Sequence, residues 1–259
     1  MDCNSLPLDS IICGDNCQVL CDFEPESIDL VVTSPPYDDL RTYGGHDWDF
    51  YGIAWQLSRV IKKGGVIVWV VADQTKDGTE TGTSFRQALH FQSLGLNIHD
   101  TMIYKTNKPP KSSKRYTDCI EFMFVFSKGQ PATWNPIEVP CIWAGVGCSP
   151  SQRTKDGTLI GNGRRMIKDT KPRENIWHYE TGSGKTESMG HPATFPLQLA
   201  TDHVMTWTNE GDVVLDPFCG SGTSCEAAKR NARRFIGVDV NESYCHLSIA
   251  RTAQQELFS

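Results

Sequence analysis

The sequence has no apolar run near the ~20 residues that a membrane-spanning helix requires, although 39% of its 259 residues are hydrophobic. The first residues, Met1–Ser5, lack the basic start and apolar stretch of a signal peptide. We therefore expect a cytoplasmic protein whose cysteines are reduced. The ten cysteines include no Cys-x-x-Cys pair, and the spacing of Cys13, Cys17 and Cys21 matches none of the usual zinc-ligand sets, so we expect no metal site.

An overall positive charge is also missing, because 25 Lys and Arg stand against 31 Asp and Glu, which gives a formal net charge of −6. Whole-chain charge averages over faces that never meet a ligand, so the local distribution matters more. Two segments are rich in cations. These cations could simply belong to solvated loops, but contacts with phosphate groups explain their clustering better. The cations of the two segments are Lys105, Lys108, Lys111, Lys114 and Arg115, and then Arg153, Lys155, Arg164, Arg165, Lys168, Lys171 and Arg173.

Strand and helix patterns alternate along most of the chain. Strands are predicted at 11–12, 28–32, 66–71, 97–104, 120–126, 213–215 and 234–238. Helices are predicted at 50–61, 83–94, 196–208, 224–230 and from 242 onward, the first of them ending at Lys63-Gly64-Gly65. The alternation predicts an α/β fold with a mainly parallel sheet covered on both faces. The periodicity fails from about 129 to 190, so we expect one domain, 1–259, with an insertion at 130–189.

A glycine-rich segment, Asp216-Pro217-Phe218-Cys219-Gly220-Ser221-Gly222-Thr223, follows one of the predicted strands. Its glycines let the backbone approach a ligand closely. Asp239 ends the next strand, where an acid can accept hydrogen bonds from ribose hydroxyls. The third glycine of the dinucleotide fingerprint is missing, and Asp216 would repel a pyrophosphate but suit an ammonium group. These features favour S-adenosylmethionine over a nicotinamide cofactor.

A second segment, Ser34-Pro35-Pro36-Tyr37, follows the predicted strand 28–32. The Ser34 hydroxyl oxygen and the Pro35 carbonyl can accept the two hydrogens of an exocyclic amine, and the prolines hold that carbonyl rigidly. Tyr37 offers a face on which an extruded base can stack. A simple turn between two elements is the alternative interpretation.

Both segments and their order resemble the beta class of DNA amino-methyltransferases, in which the catalytic segment precedes a variable region and the cofactor segment. The similarity covers nearly the whole chain and includes 104–110, Arg115, 121–128 and 191–196. It implies a Rossmann-like methyltransferase fold with a mainly parallel seven-stranded sheet, and a target-recognition role for 130–189. It also implies that a methyl group passes from S-adenosylmethionine to an exocyclic nitrogen of a flipped base in double-stranded DNA.

Three sets of candidate site residues follow from the residues and the resemblance together. The catalytic set is Ser34, Pro35, Pro36 and Tyr37. The cofactor-binding set is Asp15, Phe195, Asp216, Phe218, Gly220, Gly222, Thr223 and Asp239. The DNA-binding set is Lys105, Lys108, Lys111, Lys114, Arg115, Arg164 and Arg165. The resemblance places Asp15 near the adenine, although by sequence alone this acid could as easily cap a helix.

The target base follows from the residue at position 34. Serine there is typical of cytosine-N4 enzymes and aspartate of adenine-N6 enzymes, so we favour cytosine N4 and keep adenine N6 as the alternative. An RNA substrate and a catalytically silent nucleic-acid-binding subunit are the remaining alternatives. The expected partner is double-stranded DNA, and a cognate restriction endonuclease would accompany the protein only as a separate molecule.

Overall fold

The computed structural model describes residues 6–36, 48–107, 114–161, 163–179 and 196–253. The chain divides into two compact units. We call Met1–Asn135 together with Asn175–Ser259 the large unit, and Pro136–Glu174 the small unit. Within the described ranges, no helix combines the length and the apolar character that crossing a membrane requires.

The described residues form helices and strands that alternate through the large unit. The helices are α1 (Asn16–Cys21), α2 (Phe50–Val60), α3 (Thr83–Ser93), α4 (Leu197–Trp207), α5 (Thr223–Arg230) and α6 (Glu242–Ala253). The strands are β1 (Ser10–Cys13), β2 (Ile28–Thr33), β3 (Ile61–Val71), β4 (Thr75–Lys76), β5 (Thr79–Glu80), β6 (Asn97–Lys105), β7 (Ile120–Ser127), β8 (Glu138–Pro140), β9 (Gly147–Cys148), β10 (Ser151–Arg153), β11 (Leu159–Gly161), β12 (Arg165–Met166), β13 (Thr170–Pro172), β14 (Ile176–His178), β15 (Val213–Asp216) and β16 (Arg234–Asp239).

The main sheet has the strand order β1-β16-β15-β2-β3-β7-β6-β14. Neighbouring strands are parallel, except that β7 runs antiparallel to both β3 and β6. The predicted α/β fold with a mainly parallel sheet is therefore confirmed. The number of strands is not, because the residues that the structure describes contribute eight strands to this sheet rather than seven.

The additional strand, β14, lies inside the stretch where the sequence pattern is irregular. It pairs in parallel with β6 and places Trp177, which is buried, opposite Tyr104. Three residues at the edge of a sheet are too few to set a detectable alternation. The small unit lies within the insertion expected at 130–189, whose bounds stay a prediction.

The helix predicted at 50–61 is confirmed as α2, which ends one residue earlier, at Val60. The segment expected to stop it, Lys63-Gly64-Gly65, is not the helix end, because β3 begins at Ile61. These residues lie within β3, where its pairing register against β2 is irregular. Gly64 has a φ of 80°, a conformation that glycine adopts readily at such bulges.

The centre of the sheet forms the core of the large unit. In β3 every residue from Val66 to Val71 is buried, as expected for a strand covered on both faces. Trp69, Phe91 and Phe126 are among the largest fully buried side chains. The small unit has a different character, because its strands form three antiparallel pairs, β8 with β13, β9 with β12 and β10 with β11.

Candidate active site

Three adjacent strands, β16, β15 and β2, bring their carboxyl ends to the same edge of the main sheet. From β15 the chain continues through α5 to β16 on one side, whereas from β2 it continues through α2 to β3 on the other side. The connections therefore diverge between β15 and β2. Open α/β sheets bind ligands in the crevice at such a switch point. The glycine-rich segment and the Ser34 segment both begin there.

A buried hydrogen bond joins the two segments. The Thr33 hydroxyl donates to Oδ1 of Asp216 at 2.7 Å, and the Phe218 amide donates to the same oxygen at 3.1 Å. Asp216 is only 3% exposed, and burial raises its pKa to about 6 against the lowering effect of its hydrogen bonds. Asp216 therefore cross-links the strand ends. Its expected contact with the ammonium group of the cofactor stays a prediction.

Asp239 at the end of β16 holds the glycine-rich segment from the other side. Its Oδ2 accepts a hydrogen bond from the Gly220 amide at 2.9 Å, and its Oδ1 accepts one from the Asn241 amide at 2.8 Å. Burial raises the pKa of Asp239, and these two hydrogen bonds oppose the rise. A carboxylate has about four lone-pair positions, so this half-buried group keeps capacity for ribose hydroxyls.

Gly222 and Thr223 face the protein's own α6. Gly222 has a φ of 83°, and a Cβ at this position would lie 3.1 Å from Cα of Ser248. The approach of α6 is thus a sufficient reason for glycine here, in addition to the expected approach of a ligand. Thr223 is buried, and its hydroxyl accepts a 3.0 Å hydrogen bond from Arg251. Contact between Thr223 and a cofactor stays a prediction.

Phe218 gives the glycine-rich segment an apolar neighbour. Its ring meets Trp48 edge to face at a centroid distance of 5.2 Å, and it meets Trp69 in the same manner at 6.3 Å. Trp69 is fully buried, whereas Phe218 and Trp48 are half-buried. The two partly accessible rings therefore form an apolar contact beside the glycine-rich segment.

Asp15 caps α1, because its Oδ1 accepts a hydrogen bond from the Gln18 amide at 2.9 Å. The cap that the sequence allowed is thus present. The turn also lies at the edge of the sheet where the cofactor segment begins, since Asn16 Nδ2 donates to the Pro217 carbonyl at 3.1 Å. The expected contact of Asp15 with adenine stays a prediction.

The catalytic segment continues directly from β2. Pro35 is buried, while Ser34 and Pro36 are half-buried. Because Thr33 is tied to Asp216, the position of Ser34 is set by the pairing of β2 with β15. The expected stacking residue Tyr37 lies outside the described residues, as does the expected cofactor residue Phe195.

The candidate DNA-binding cations are divided between the two units. Lys105 ends β6, at the same edge of the main sheet as Ser34, because β6 and β2 run in the same direction. Arg115 forms an ion pair with Glu80 at 3.1 Å, which engages this cation with the β4–β5 hairpin. The candidates among the described residues, Lys105, Lys114, Arg115, Arg164 and Arg165, are all exposed, while Lys108 and Lys111 lie outside those residues.

Comparison with known proteins decides the family. The model of a family described as DNA methylase, of the N6/N4 type, matches residues 28–250. The chain belongs to this family. It is an S-adenosylmethionine-dependent DNA methyltransferase of the N6/N4 type. The methyltransferase is 44% identical over 236 residues to a Bacillus amyloliquefaciens protein named orphan methyltransferase M.BamHII, an alignment that covers 87% of this chain and 88% of that protein.

Solved structures show the same fold. PvuII DNA methyltransferase, described as cytosine-N4-specific, superimposes with a TM-score of 0.71 at 21% identity, and the match covers 96% of this chain and 88% of that one. M1.HpyAVI in complex with S-adenosylmethionine gives a TM-score of 0.65 at 19% identity, with coverage of 95% and 99%. The Rossmann-like methyltransferase fold expected from the sequence is confirmed.

The site of this methyltransferase suits the chemistry of its cofactor. S-adenosylmethionine offers ribose hydroxyls as hydrogen-bond donors and carries positive charge on sulfur and on its amino group. The site presents the carboxylates of Asp239 and Asp216 at the ends of neighbouring strands. Asp216 begins the glycine-rich segment, and its carboxylate would repel a pyrophosphate.

Three residues that hold the site were not predicted from sequence. Thr33 directly precedes Ser34, so the sequence indicated that it lies near the site. Its hydrogen-bond partner could not be predicted, because that residue is 183 positions away. Asn16 reaches Pro217 over 201 residues, and no local signal indicates this contact. Trp48 precedes α2 and carries no motif. Each of these contacts depends on which strands are neighbours in the sheet.

Proposed function

We propose that this methyltransferase is a site-specific enzyme that methylates the exocyclic N4 of cytosine in double-stranded DNA. The flipped base receives the methyl group directly, in line with the bond that breaks. The observation that supports this proposal most strongly is the hydrogen bond of 2.7 Å between Thr33 and Asp216. It holds the residue before Ser34 against the first residue of the cofactor segment.

The Ser34 segment positions the acceptor nitrogen. The cofactor supplies a methyl group already activated by its sulfonium sulfur, so catalysis depends mainly on geometry. The lone pair of an exocyclic amine is delocalised into the ring, which makes it a poor nucleophile. Ser34 Oγ and the Pro35 carbonyl accept the two amine hydrogens and return electron density to the nitrogen. Pro35 and Pro36 restrict the backbone, and Tyr37 stacks on the flipped base.

The cofactor-binding residues surround the glycine-rich segment. Asp239 accepts hydrogen bonds from the ribose hydroxyls, and its existing bond to the Gly220 amide keeps the two aligned. Asp216 supplies negative charge near the amino group of the cofactor. The half-buried Phe218 excludes water from one side. The remaining members of the cofactor-binding set are Asp15, Phe195, Gly222 and Thr223.

The choice of base rests on Ser34. Serine at this position is typical of the cytosine-N4 enzymes that the chain resembles, whereas aspartate is typical of the adenine-N6 enzymes. Cytosine N4 is the proposed target, and adenine N6 is the alternative with the same fold and the same mechanism.

The insertion at 130–189 is proposed to read the recognition sequence within a chain that otherwise forms one methyltransferase domain. Its small unit contains exposed Arg164 and Arg165. These side chains would contact the DNA, together with Lys105, Lys108, Lys111, Lys114 and Arg115 of the large unit. A restriction endonuclease with the same recognition site would act as a separate protein, and methylation does not require it.

The test is identification of the modified base. The purified protein is incubated with unmethylated plasmid DNA and with S-adenosylmethionine whose methyl group is deuterated. The DNA is then digested and its nucleosides are analysed by mass spectrometry. The deuterium label separates new methylation from methylation inherited from the expression host. We expect deuterated N4-methylcytosine. Deuterated N6-methyladenine would overturn the choice of base, and an absence of any labelled base would overturn the proposed function.

A further inference from the structure

Two large apolar side chains project from the small unit into solvent. Ile142 is 90% exposed and Trp143 is 65% exposed. They lie next to each other between β8 and β9, and we call this pair the apolar tip. Exposed hydrophobic residues are ordinary on protein surfaces, so this pair is informative only in combination with the geometry of its loop and the charge around it.

The backbone holds the apolar tip in its projecting position. The Cys141 amide donates to the Asp169 carbonyl at 2.8 Å, and the Gly145 amide donates to the Ile167 carbonyl at 3.0 Å. Between these two hydrogen bonds, residues 142–144 stand opposite the single residue Lys168. The three residues therefore form a loop that bulges out of the antiparallel pairing.

Two further hydrogen bonds close the loop. The Ala144 amide donates to the Cys141 carbonyl at 3.1 Å, and the Val146 amide donates to the Trp143 carbonyl at 3.1 Å. A loop that is already ordered in this way loses little conformational freedom when it binds.

The charge around the apolar tip indicates the kind of partner. Residues 136–174 contain seven Lys and Arg against four Asp and Glu, a net charge of +3, in a chain whose total is −6. The rest of the chain thus carries −9. Exposed Arg165, Lys168 and Lys171 lie on the strand segment opposite the tip. Two copies packed small unit to small unit would set like charge against like charge, whereas a polyanion would complement the positive charge of this unit.

We propose that the apolar tip packs against the base stack of the bound DNA duplex. Ile142 and Trp143 enter a groove and partly unstack one base step, while the neighbouring cations bind the phosphates on either side. Apolar side chains that enter a step in this way partly unstack its bases and kink the duplex. The inference rests on the proposed function, because it assumes that double-stranded DNA is the substrate.

The test compares the wild type with Trp143→Ala and with the double variant Ile142→Ala/Trp143→Ala. The matched control is Leu159→Ala/Ile160→Ala, a pair in β11 of the same unit that is 60% and 54% exposed. The probe is a set of short duplexes that contain a site methylated in plasmid DNA, each with 2-aminopurine at a different step of the site. Cofactor affinity, measured by calorimetry, reports whether each variant keeps its folded cofactor site.

We expect the double variant to raise KM for the duplex about tenfold or more, in line with the loss of stacking contacts, with unchanged cofactor affinity. The rise of 2-aminopurine fluorescence on binding should shrink in the same variant. Trp143→Phe should restore both readouts towards the wild type, and the β11 control should match the wild type.

Two results would overturn the inference while leaving the proposed function intact. One is an unchanged KM and fluorescence response in the double variant of an active enzyme. The other is a change only in sedimentation, which would assign the tip to contact between two copies of the chain. A wild type that methylates no duplex would instead overturn the proposed function, and the inference with it.

Discussion

The hydroxyl of Thr33 donates a 2.7 Å hydrogen bond to Oδ1 of Asp216, a residue 183 positions later in the chain. Both residues end neighbouring parallel strands, β2 and β15, at the switch point of the main sheet. One is followed by the proposed catalytic segment, and the other begins the cofactor segment. The bond is therefore a direct link between the two halves of the proposed active site.

Removing this link should weaken both folding and catalysis. We expect Thr33→Val to lower the free energy of unfolding by about 1–2 kcal/mol, because Asp216 loses one of its buried donors. Methyl transfer should slow as well, since the start of the Ser34 segment is no longer tied to the cofactor segment. Urea unfolding and single-turnover rates measure the two effects. Thr33→Ser keeps the hydroxyl and is the control, and equal losses in both variants would show that the hydrogen bond is not the cause.

The pH dependence of stability should contain a contribution from Asp216. Burial raises its pKa from 3.8 to about 6, so the folded protein binds this proton more tightly than the unfolded chain does. The stabilisation from the raised pKa is fully present below about pH 4 and is lost as the pH rises through about 6. Asp216→Asn removes this titration.

The free energy of unfolding of the variant, minus that of the wild type, should therefore increase between about pH 4 and pH 7.5. The increase should be up to about 3 kcal/mol, because a shift of one pKa unit corresponds to ~1.4 kcal/mol. Urea unfolding of both proteins at the two pH values measures the change. If the difference between them stays constant with pH, the carboxyl of Asp216 does not titrate with a raised pKa.

Gly222→Ala should be more damaging than the same change at another glycine of similar backbone conformation. Gly222 has a φ of 83°, and an added Cβ would lie 3.1 Å from Cα of Ser248. Gly211 has a φ of 85° but has open space where its Cβ would lie. Gly211→Ala thus reports the backbone strain alone, about 1–2 kcal/mol.

We expect Gly222→Ala to lose more stability than Gly211→Ala in thermal unfolding and also to bind S-adenosylmethionine more weakly. The added clash displaces α6 from the start of α5, which is continuous with the glycine-rich segment. Equal losses in the two variants would contradict a packing role for Gly222.

The local pattern of the sequence predicted most elements of the large unit and the two segments of its site. The runs at 28–32 and 213–215 are mostly apolar and are followed within three residues by a proline, so their strands and the loops after them could be located. The local pattern could not predict that β2 and β15 are neighbours, because pairing between distant strands leaves no periodic signal in the sequence. The contacts of Thr33 and Asn16 could not be predicted for this reason.

Other differences have equally specific causes. The Gly64-Gly65 pair is typical of a helix end, but the chain uses it inside β3, where the register against β2 is irregular. The hydrogen bond from Arg251 in α6 to the Thr223 hydroxyl was not predicted either, and the expected contact of Thr223 with the cofactor stays a prediction. A motif gives the position of a residue along the chain, and the packing of distant helices decides where its side chain points.

The most direct test of the central claim is the rate of methyl transfer by Ser34→Ala in a single turnover at saturating S-adenosylmethionine. If Ser34 accepts a hydrogen of the target amine, the rate should fall by about two orders of magnitude or more, while cofactor affinity in calorimetry stays at the wild-type value. The hydroxyl acts on the acceptor nitrogen and not on the cofactor, so the two readouts should separate. A transfer rate equal to that of the wild type, or an equal loss of rate and cofactor affinity, would contradict the account.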